Sequence, residues 1–407
     1  MAHRVIEGGG ITTPAGFLAG SVYVGVKSHK SYKPDVAILF SDRPAVCAAL
    51  FTTNRFCAAP IQLGRELLKN PYTRGVVINS GNANAGTGPQ GLQCARQVAA
   101  LAEELLGLES GQMFVSSTGV IGERYPVEKV LDAVRRIVPT LSPEGGAGAA
   151  WAIMTTDRHR KELACELTLS GGTVRIGAMS KGSGMIHPNM ATTLTFLTTD
   201  AQIEKPVLQE MLRRCCDESM HLLTVDRDTS TNDSMFLFAN GASGVSVTSE
   251  ADLAAFEDAL REICVWIARR IAADGEGATR MLAVEVKGLP CKADAKAVAR
   301  AVASSMSVKT ALGQGRLHWG SLLSAAGSAG ADLGERGADC VVRSDAGELL
   351  LAKGSMKAAY EQEQLEALLQ AEEISVVLDF HNGACGASAF GCDMTTEYVH
   401  INGDYRT

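Results

Sequence analysis

Helical and strand-like segments alternate along most of the chain, and this alternation is the strongest constraint on its fold. Apolar residues recur at helical spacing in residues 92–106, in 127–137 after a proline, and in 253–271. Short runs rich in β-branched residues lie between and after these segments, at 75–79, 113–117, 174–180, 193–199 and 234–240. The mixture predicts an α/β or α+β fold.

The chain is long enough for more than one structural unit. It has 407 residues, of which 46% are hydrophobic, so it can bury a sizeable core. The composition shifts near residue 282, which predicts a larger domain over residues 1–281 and a smaller one over 282–407. Apolar and polar residues alternate from 396 to 402, and this alternation predicts a strand close to the C-terminus.

Charge and cysteine usage exclude several classes of protein. The formal net charge is −7 and no clustered Lys/Arg surface is found beyond short runs such as "RHRK" at 158–161, which argues against a nucleic-acid partner. No window is apolar enough to span a membrane, and the first residues lack the pattern of a signal peptide. Eleven irregularly spaced cysteines without a CxxC pair predict a cytoplasmic protein with no structural metal site.

Several motifs resemble known sites but fail their spacing rules. "GAMSKGSG" at 177–184 places Lys181 among glycines, yet it lacks the spacing of a phosphate-binding loop. "DRDTSTND" at 226–233 begins like a calcium loop, but Thr231 and Leu237 stand where glycine and glutamate are required. We interpret this segment as a polar turn that contributes to a site. His187 precedes a proline and is interpreted as a turn residue, and no GxSxG motif occurs.

The most unusual segment is "HPNMATTLTFLTTDA" at 187–201, where threonine occupies five of the eight positions from Thr192 to Thr199. A threonine hydroxyl becomes a useful nucleophile when its residue begins a chain, because the α-amine then acts as the base at a pKa of ~7.7–8.0. The small Ala191 before Thr192 fits a self-cleavage site that would create such a residue. On the residues alone, a strand with threonines on its solvent face is the other interpretation.

Long motifs along nearly the whole chain resemble the ornithine acetyltransferase family, the bifunctional glutamate N-acetyltransferases/amino-acid acetyltransferases of arginine biosynthesis. The motifs that carry the resemblance are "VVINSGNANAGTG" (76–88), "VSSTGVIG" (115–122), "AIMTTD" (152–157), "SKGSGMIHPNMATTLTFLTTDA" (180–201), "TVDRDTSTNDS" (224–234), "DGEGATR" (274–280), "SVKTAL" (307–312) and "GCDMTTEYVHINGDYRT" (391–407).

The resemblance implies an enzyme that matures by cutting itself between Ala191 and Thr192. Its fold would be a mixed α+β sandwich of the N-terminal-nucleophile type with a smaller C-terminal domain. The two chains, 1–191 and 192–407, would assemble as an α2β2 heterotetramer. Thr192 would take an acetyl group from N2-acetylornithine and pass it to glutamate by a ping-pong mechanism. No cofactor is implied, although bifunctional members also accept acetyl-CoA as a substrate.

The resemblance also assigns roles to individual residues. Thr118 and Gly119 would donate hydrogen bonds to the oxyanion, although on the residues alone a plain strand-to-helix turn is the preferred interpretation of their segment. Residues expected to bind substrate, besides Thr192, are Thr155, Lys181, Glu276, Asn402 and Thr407. Thr156 has the same chemistry as Thr155, so the choice between the two stays open.

This chain departs from the family pattern at a few positions, which bear on its substrate preference. Arg227 stands where the family usually has glycine, His318 and Ser321 replace asparagine and arginine, and Phe390 replaces tryptophan. Two other functions remain as alternatives. One is an N-terminal-nucleophile aminopeptidase or amidase that transfers the acyl group to water, and the other is an uncleaved regulator that binds amino acids.

Overall fold

The computed structural model describes residues 3–27, 32–187 and 193–404. The helices are α1 (Ala59–Leu67), α2 (Gly88–Leu105), α3 (Val127–Ile137), α4 (Gly146–Ala152), α5 (Lys205–Asp217), α6 (Glu250–Ala273), α7 (Lys292–Ala303), α8 (Met306–Gly313), α9 (Trp319–Gly327), α10 (Gln362–Leu368) and α11 (Thr396–Asp404). The strands are β1 (His3–Val5), β2 (Phe17–Val22), β3 (Val36–Phe51), β4 (Thr73–Asn79), β5 (Met113–Ser117), β6 (Lys161–Leu169), β7 (Gly172–Lys181), β8 (Leu194–Thr199), β9 (Ser234–Ala239), β10 (Met281–Leu289), β11 (Asp339–Ser344), β12 (Gly347–Lys353), β13 (Met356–Lys357), β14 (Glu373–Asp379) and β15 (Cys385–Cys392). The predicted mixed α/β class is confirmed.

The long strand β3 organises the larger sheet. Its first part pairs with β2 and β4, its last six residues pair with β9, and the register shifts between Phe40 and Ala45. The strand order among the described residues is β1-β6-β7-β8-β9-β3-β4-β5, with β2 also paired to β3. The chain before and after residues 188–192 therefore enters neighbouring strands, because β7 and β8 are antiparallel partners.

Helices and side chains cover both faces of the larger sheet. Successive residues of β8 point to opposite faces, so Leu197 packs with the apolar residues of α5 and α6 while Phe196 faces the other way. Phe196 stacks on Phe236 at 5.6 Å between ring centroids, and Phe114 and Phe238 complete this aromatic cluster. The two cores fix β8, whose first residues lie at the candidate site.

The C-terminal third of the chain forms a second sheet with the order β13-β12-β11-β14-β10-β15. Its core includes the apolar faces of α7 and α9. The sheet begins at Met281, next to the predicted boundary at residue 282. However, Met281, Phe390 and Cys392 share a core cluster with residues of the larger sheet. The division into domains 1–281 and 282–407 stays a prediction.

The prediction of a C-terminal strand is wrong, because residues 396–404 form helix α11. Tyr398 and Asn402 are four residues apart, the spacing of neighbours on one face of a helix. The side-chain amide of Asn402 donates to the backbone carbonyl of Tyr398 at 3.1 Å. Thr395 supports the start of the helix by accepting the N–H of Glu397. Val399 is 66% exposed. The apolar residues of this segment therefore do not form the buried face that a strand in a sheet would have.

The interpretation of β8 as a strand with solvent-facing threonines is also wrong. Thr195, Thr198 and Thr199 are each 0% exposed. The Thr195 hydroxyl lies 2.8 Å from that of Ser180 on β7, and the Thr198 hydroxyl donates to the Ile11 carbonyl at 2.6 Å. The hydroxyl groups are thus used inside the fold. Within the described residues, no helix is long and apolar enough to cross a membrane.

Candidate active site

A cavity lies beside the start of β8, at the junction of several loops and the last turn of the chain. Its volume is about 130 Å³, close to the ~150 Å³ of an engineered protein cavity that binds benzene. This size suits a small molecule. Its described lining consists of Ala83, Thr118, Gly119, Ile121, Thr155, Thr156, Lys181, Gly184, Met185, Thr193, Leu194, Asp226, Asp228, Ser230, Thr231, Asn232, Asp233, Glu276, Tyr398 and Asn402.

The cavity brings together residues that the sequence analysis assigned to one site. The lining includes Thr118, Gly119, Thr155, Lys181, Glu276 and Asn402. Thr193 lines it too, directly after the predicted nucleophile. Ala191 and Thr192, the predicted cleavage site and nucleophile, and Thr407, a predicted substrate ligand, lie outside the described residues. The roles of all these residues stay predictions.

Gly119 occupies a turn that only glycine can form without a clash. Its φ is 132°, and a Cβ at this position would lie 2.3 Å from the carbonyl carbon of Gly81. On either side, the Thr118 N–H donates to the Asn79 carbonyl at 3.0 Å and the Val120 N–H donates to the Gly81 carbonyl at 3.3 Å. The Gly119 N–H makes no hydrogen bond to any described residue, so it is a free donor beside the cavity.

Lys181 ends β7 and is 8% exposed. Its Nζ donates to the Thr118 Oγ1 at 3.2 Å, which places an ammonium group beside a candidate oxyanion donor. Burial lowers the pKa of Lys181 below its ordinary value, and the carboxylate of Asp157 opposes this change. A buried ammonium gains from an anionic partner, and the α-carboxylate of an amino acid would supply one.

Glu276 also lines the cavity and is 8% exposed. Its Oε1 accepts the Thr156 hydroxyl at 2.7 Å, and its Oε2 accepts the Asn402 amide at 2.8 Å. The close approach requires glycine at 184, because a Cβ there would lie 2.2 Å from Oε2. Helix α11 therefore contributes directly to the site through Asn402.

The two neighbouring threonines differ in how their hydroxyls are used. The Thr156 hydroxyl bonds to Glu276 and lies 2.6 Å from the hydroxyl of Ser183. Thr155 lines the same cavity, and its hydroxyl makes no hydrogen bond within the described part of the chain. This difference favours Thr155 as the residue with a hydroxyl available to a ligand.

The turn at 226–233 lines the cavity, as its interpretation as part of a site anticipated. Asn232 fixes this turn by donating to the carbonyls of Ala83 and Ser117 at 2.6 and 2.8 Å. Asp226 was not singled out from the sequence, nor was Tyr398. The mixture of carboxylate, hydroxyl and amide side chains in "DRDTSTND" could have indicated Asp226. Tyr398 was missed because its segment was predicted to be a strand.

Asp226 holds the backbone that leads towards residues 188–192. Its carboxylate accepts the N–H groups of Met185 at 2.6 Å and Ile186 at 2.8 Å, and also that of Asp228 at 3.1 Å. Met185 has a φ of 55°, a conformation that is unfavourable for a residue with a side chain. Burial raises the pKa of Asp226 to about 6, although the three N–H donors favour the ionised form.

The positions at which the chain departs from the family pattern lie in different surroundings. Arg227 has a φ of 73°, a left-handed conformation that explains a preference for glycine. Neither His318, which precedes α9, nor Ser321, within α9, belongs to the described lining of the cavity. Phe390 is 4% exposed in the core. Of these four residues, only Arg227 is adjacent in sequence to residues that line the cavity.

Comparison with known proteins agrees with this arrangement. A sequence model of the ArgJ family matches residues 18–407. The arginine biosynthesis bifunctional protein ArgJ of Symbiobacterium thermophilum is 44% identical over 98% of this chain and 99% of its own length. The protein of the same name from Dehalococcoides mccartyi is 41% identical over 99% and 98%. The glutamate N-acetyltransferase of Methanocaldococcus jannaschii is 40% identical over 99% and 100%. The chain therefore belongs to the ArgJ family.

Proposed function

We propose that this protein is a glutamate N-acetyltransferase of arginine biosynthesis that moves the acetyl group of N2-acetylornithine to glutamate. The observation that carries the proposal is the single cavity that joins the Thr118 hydroxyl, the free Gly119 N–H, the Lys181 ammonium and the Glu276 carboxylate beside Thr193. Relatives that align over nearly their whole length are named for arginine biosynthesis and glutamate N-acetylation.

The nucleophile would be Thr192, released as a chain terminus by self-cleavage. Its hydroxyl attacks the carbonyl carbon of Ala191, and the peptide C–N bond breaks as the nitrogen gains a proton and becomes an α-amine. Water then hydrolyses the resulting ester, which frees the Ala191 carboxylate and restores the hydroxyl. The products are chains of residues 1–191 and 192–407, the second of which begins with its own base.

Acetyl transfer would follow in two steps of the same kind. The Thr192 α-amine takes the hydroxyl proton as the oxygen attacks the acetyl carbonyl, and the amide C–N bond breaks as that proton passes to the departing ornithine nitrogen. The amine of glutamate then attacks the carbonyl carbon of the acetyl ester, the ester C–O bond breaks, and the proton lost by the amine returns to the Thr192 oxygen as N-acetylglutamate leaves. Thr118 and the Gly119 N–H would stabilise the oxyanion in both steps, where one donor typically contributes about 100-fold or more.

The charged residues would distinguish the ends of the substrates. Lys181 would bind the α-carboxylate that acetylornithine and glutamate share, with Thr155 as a hydroxyl ligand. Glu276, held by Thr156 and Asn402, would face the cationic groups of ornithine. Thr407 is proposed as a further ligand from the chain end. No cofactor is proposed, and acetyl-CoA is a second donor to be tested because relatives carry the word bifunctional in their names.

We also propose a cytoplasmic location and an α2β2 assembly. All eleven cysteines lie within the described part of the chain and are free thiols, which supports a reducing compartment. The number of chains in the assembly can be measured by light scattering on the purified protein, together with the masses of its fragments.

The decisive experiment combines processing with acetyl transfer. Intact mass and N-terminal sequencing under denaturing conditions should give two chains, one of which begins Thr-Thr-Leu-Thr-Phe. The purified enzyme is then supplied with acetylornithine, with and without glutamate. N-acetylglutamate formed faster than free acetate supports the transferase. Acetate as the main product indicates a hydrolase, and an uncleaved chain that binds glutamate indicates a regulator. The Thr192→Ala variant should remain a folded precursor without activity.

A further inference from the structure

A buried group of charges lies directly behind the cavity. Lys161 is 2% exposed, and its Nζ lies 2.8 Å from Asp157 and 2.6 Å from Asp274. The side chains of these two acids are 0% and 4% exposed. Removing ions from water is costly and is only partly repaid by pairing. A group of three buried ions next to a candidate site is therefore expected to serve the site as well as the fold.

Asp157 connects this group to two parts of the cavity wall. Its Oδ1 accepts the N–H of Gly182, the residue after Lys181, at 2.7 Å. Its Oδ2 accepts the N–H of Thr155 at 3.0 Å. One carboxylate thus fixes the backbone at both residues that are proposed to contact the substrate α-carboxylate. Burial opposes ionisation of Asp157, but the positive charges of Lys161 and Lys181 outweigh it and hold its pKa well below the usual range.

The charges that act on Lys181 do not all act in the same direction. Burial and the positive charge of Lys161 disfavour its ammonium form, and Lys33 is a further cation close enough to interact with it. Asp157, Glu276 and Asp233 favour the ammonium form, with Asp157 contributing most among the three. Loss of the Asp157 charge would therefore leave a buried lysine between other cations.

We propose that Asp157 is a positioning residue of this site, whose carboxylate holds the Lys181 and Thr155 backbones in place to receive a substrate carboxylate and supplies a negative charge behind the Lys181 ammonium. The inference rests on the proposed role of Lys181 in binding substrate. An uncharged Lys181 amine could not form an ion pair with the substrate, so the charge of Asp157 sets the upper pH limit of substrate capture.

The test compares the pH dependence of kcat/KM for acetylornithine in the wild type, Asp157→Asn, Lys161→Met and Asp274→Asn. Each variant is first checked for cleavage by intact mass and for folding by circular dichroism. Asp157→Asn should move the basic limb of the profile to lower pH by about 1 unit, because an opposite charge close to Lys181 is lost. Lys161→Met should move that limb to higher pH, because it removes a like charge.

Asp274→Asn is the matched control, since it removes the other carboxylate that binds Lys161 but none of the three carboxylates that favour the ammonium form of Lys181 most. It should leave the basic limb closer to that of the wild type than Asp157→Asn does. The substrate's own groups titrate equally in every variant, so differences between the profiles belong to the protein. Opposite shifts in Asp157→Asn and Lys161→Met support the inference, whereas unchanged limbs or shifts in one direction overturn it.

A fourth variant separates this inference from the proposed function. Lys181→Met should raise KM for acetylornithine and abolish the basic limb that belongs to Lys181. If Lys181→Met weakens substrate capture but Asp157→Asn and Lys161→Met leave the basic limb unchanged, the role of Asp157 is refuted and that of Lys181 stands. If Lys181→Met leaves kcat/KM unchanged, the proposed substrate ligand is itself wrong.

Discussion

The ionised carboxyl group of Asp226 should destabilise the fold at neutral pH, and Asp226→Asn should remove that destabilisation. Burial raises its pKa to about 6 from an ordinary value of 3.8, a difference of 6 − 3.8 = 2.2 units. The native state therefore binds this proton more tightly than the unfolded chain does. The stabilising contribution is fully present below pH ~4 and is lost as the pH rises to about 6. At 1.36 kcal/mol for each unit, the loss is about 3 kcal/mol.

Urea unfolding between pH 4 and pH 7 measures this effect. The parent with Asp226 and the Asp226→Asn variant are both made in the Thr192→Ala background, so that a single uncleaved chain unfolds in each measurement. The Asp226→Asn variant keeps one side-chain oxygen, so it loses the acceptor either of the Met185 N–H or of the Ile186 and Asp228 N–H groups, and that loss is the same at every pH. The difference in unfolding free energy, variant minus parent, should rise by about 2.4 kcal/mol over this range, because the rest of the effect falls below pH 4. A difference that is constant or falls with rising pH would refute the reasoning.

Three further substitutions test the geometry of the site and its neighbouring turn. Thr118→Val should lower kcat about 100- to 1000-fold while Thr118→Ser retains most activity, and wild-type turnover in the valine variant would exclude an oxyanion role. Gly119→Ala should lower the free energy of unfolding by about 3 kcal/mol or more, because its Cβ would lie 2.3 Å from the Gly81 carbonyl carbon; unchanged urea unfolding would contradict this. Arg227→Gly should relieve ~1–2 kcal/mol of left-handed strain at φ 73° and lose ~0.4–1 kcal/mol through the more flexible unfolded chain. It should therefore raise the thermal midpoint slightly, whereas a lower midpoint would show that the arginine side chain stabilises the fold.

The regular elements of the fold could be predicted because their periodicity is local. The three helices expected from apolar spacing correspond to α2, α3 and α6, and the five expected strands correspond to β4, β5, β7, β8 and β9. The C-terminal helix could not be recognised in this way. Its short pattern fits a period of two as well as a helix, and the contact of Asn402 with Glu276 depends on a residue 126 positions away.

The site was predictable only where a motif carried it. Thr118, Lys181 and Glu276 lie in segments that resemble a known family, and the structure gathers them around one cavity. Asp157 lies in one of the same segments and Lys161 is only four residues away, yet nothing local indicates that the Asp157 carboxylate meets the backbone of Gly182 or that Asp274 also binds Lys161. Buried ion pairs of this kind depend on the packing of distant segments, so their geometry becomes visible only in the folded structure.

Cleavage between residues 191 and 192 would leave the two chains joined by the larger sheet. Strand β7 of the first chain pairs with β8 of the second from Ile176↔Thr199 to Lys181↔Leu194, and β3 pairs with β9 over six residue pairs. Lys181 and Thr118 belong to the first chain, whereas Glu276 and Asn402 belong to the second. Because the site needs both chains, the cleaved enzyme should migrate as one species under native conditions and separate only on denaturation. Fragments that separate under native conditions while activity persists would show that the paired strands are not what holds the site together.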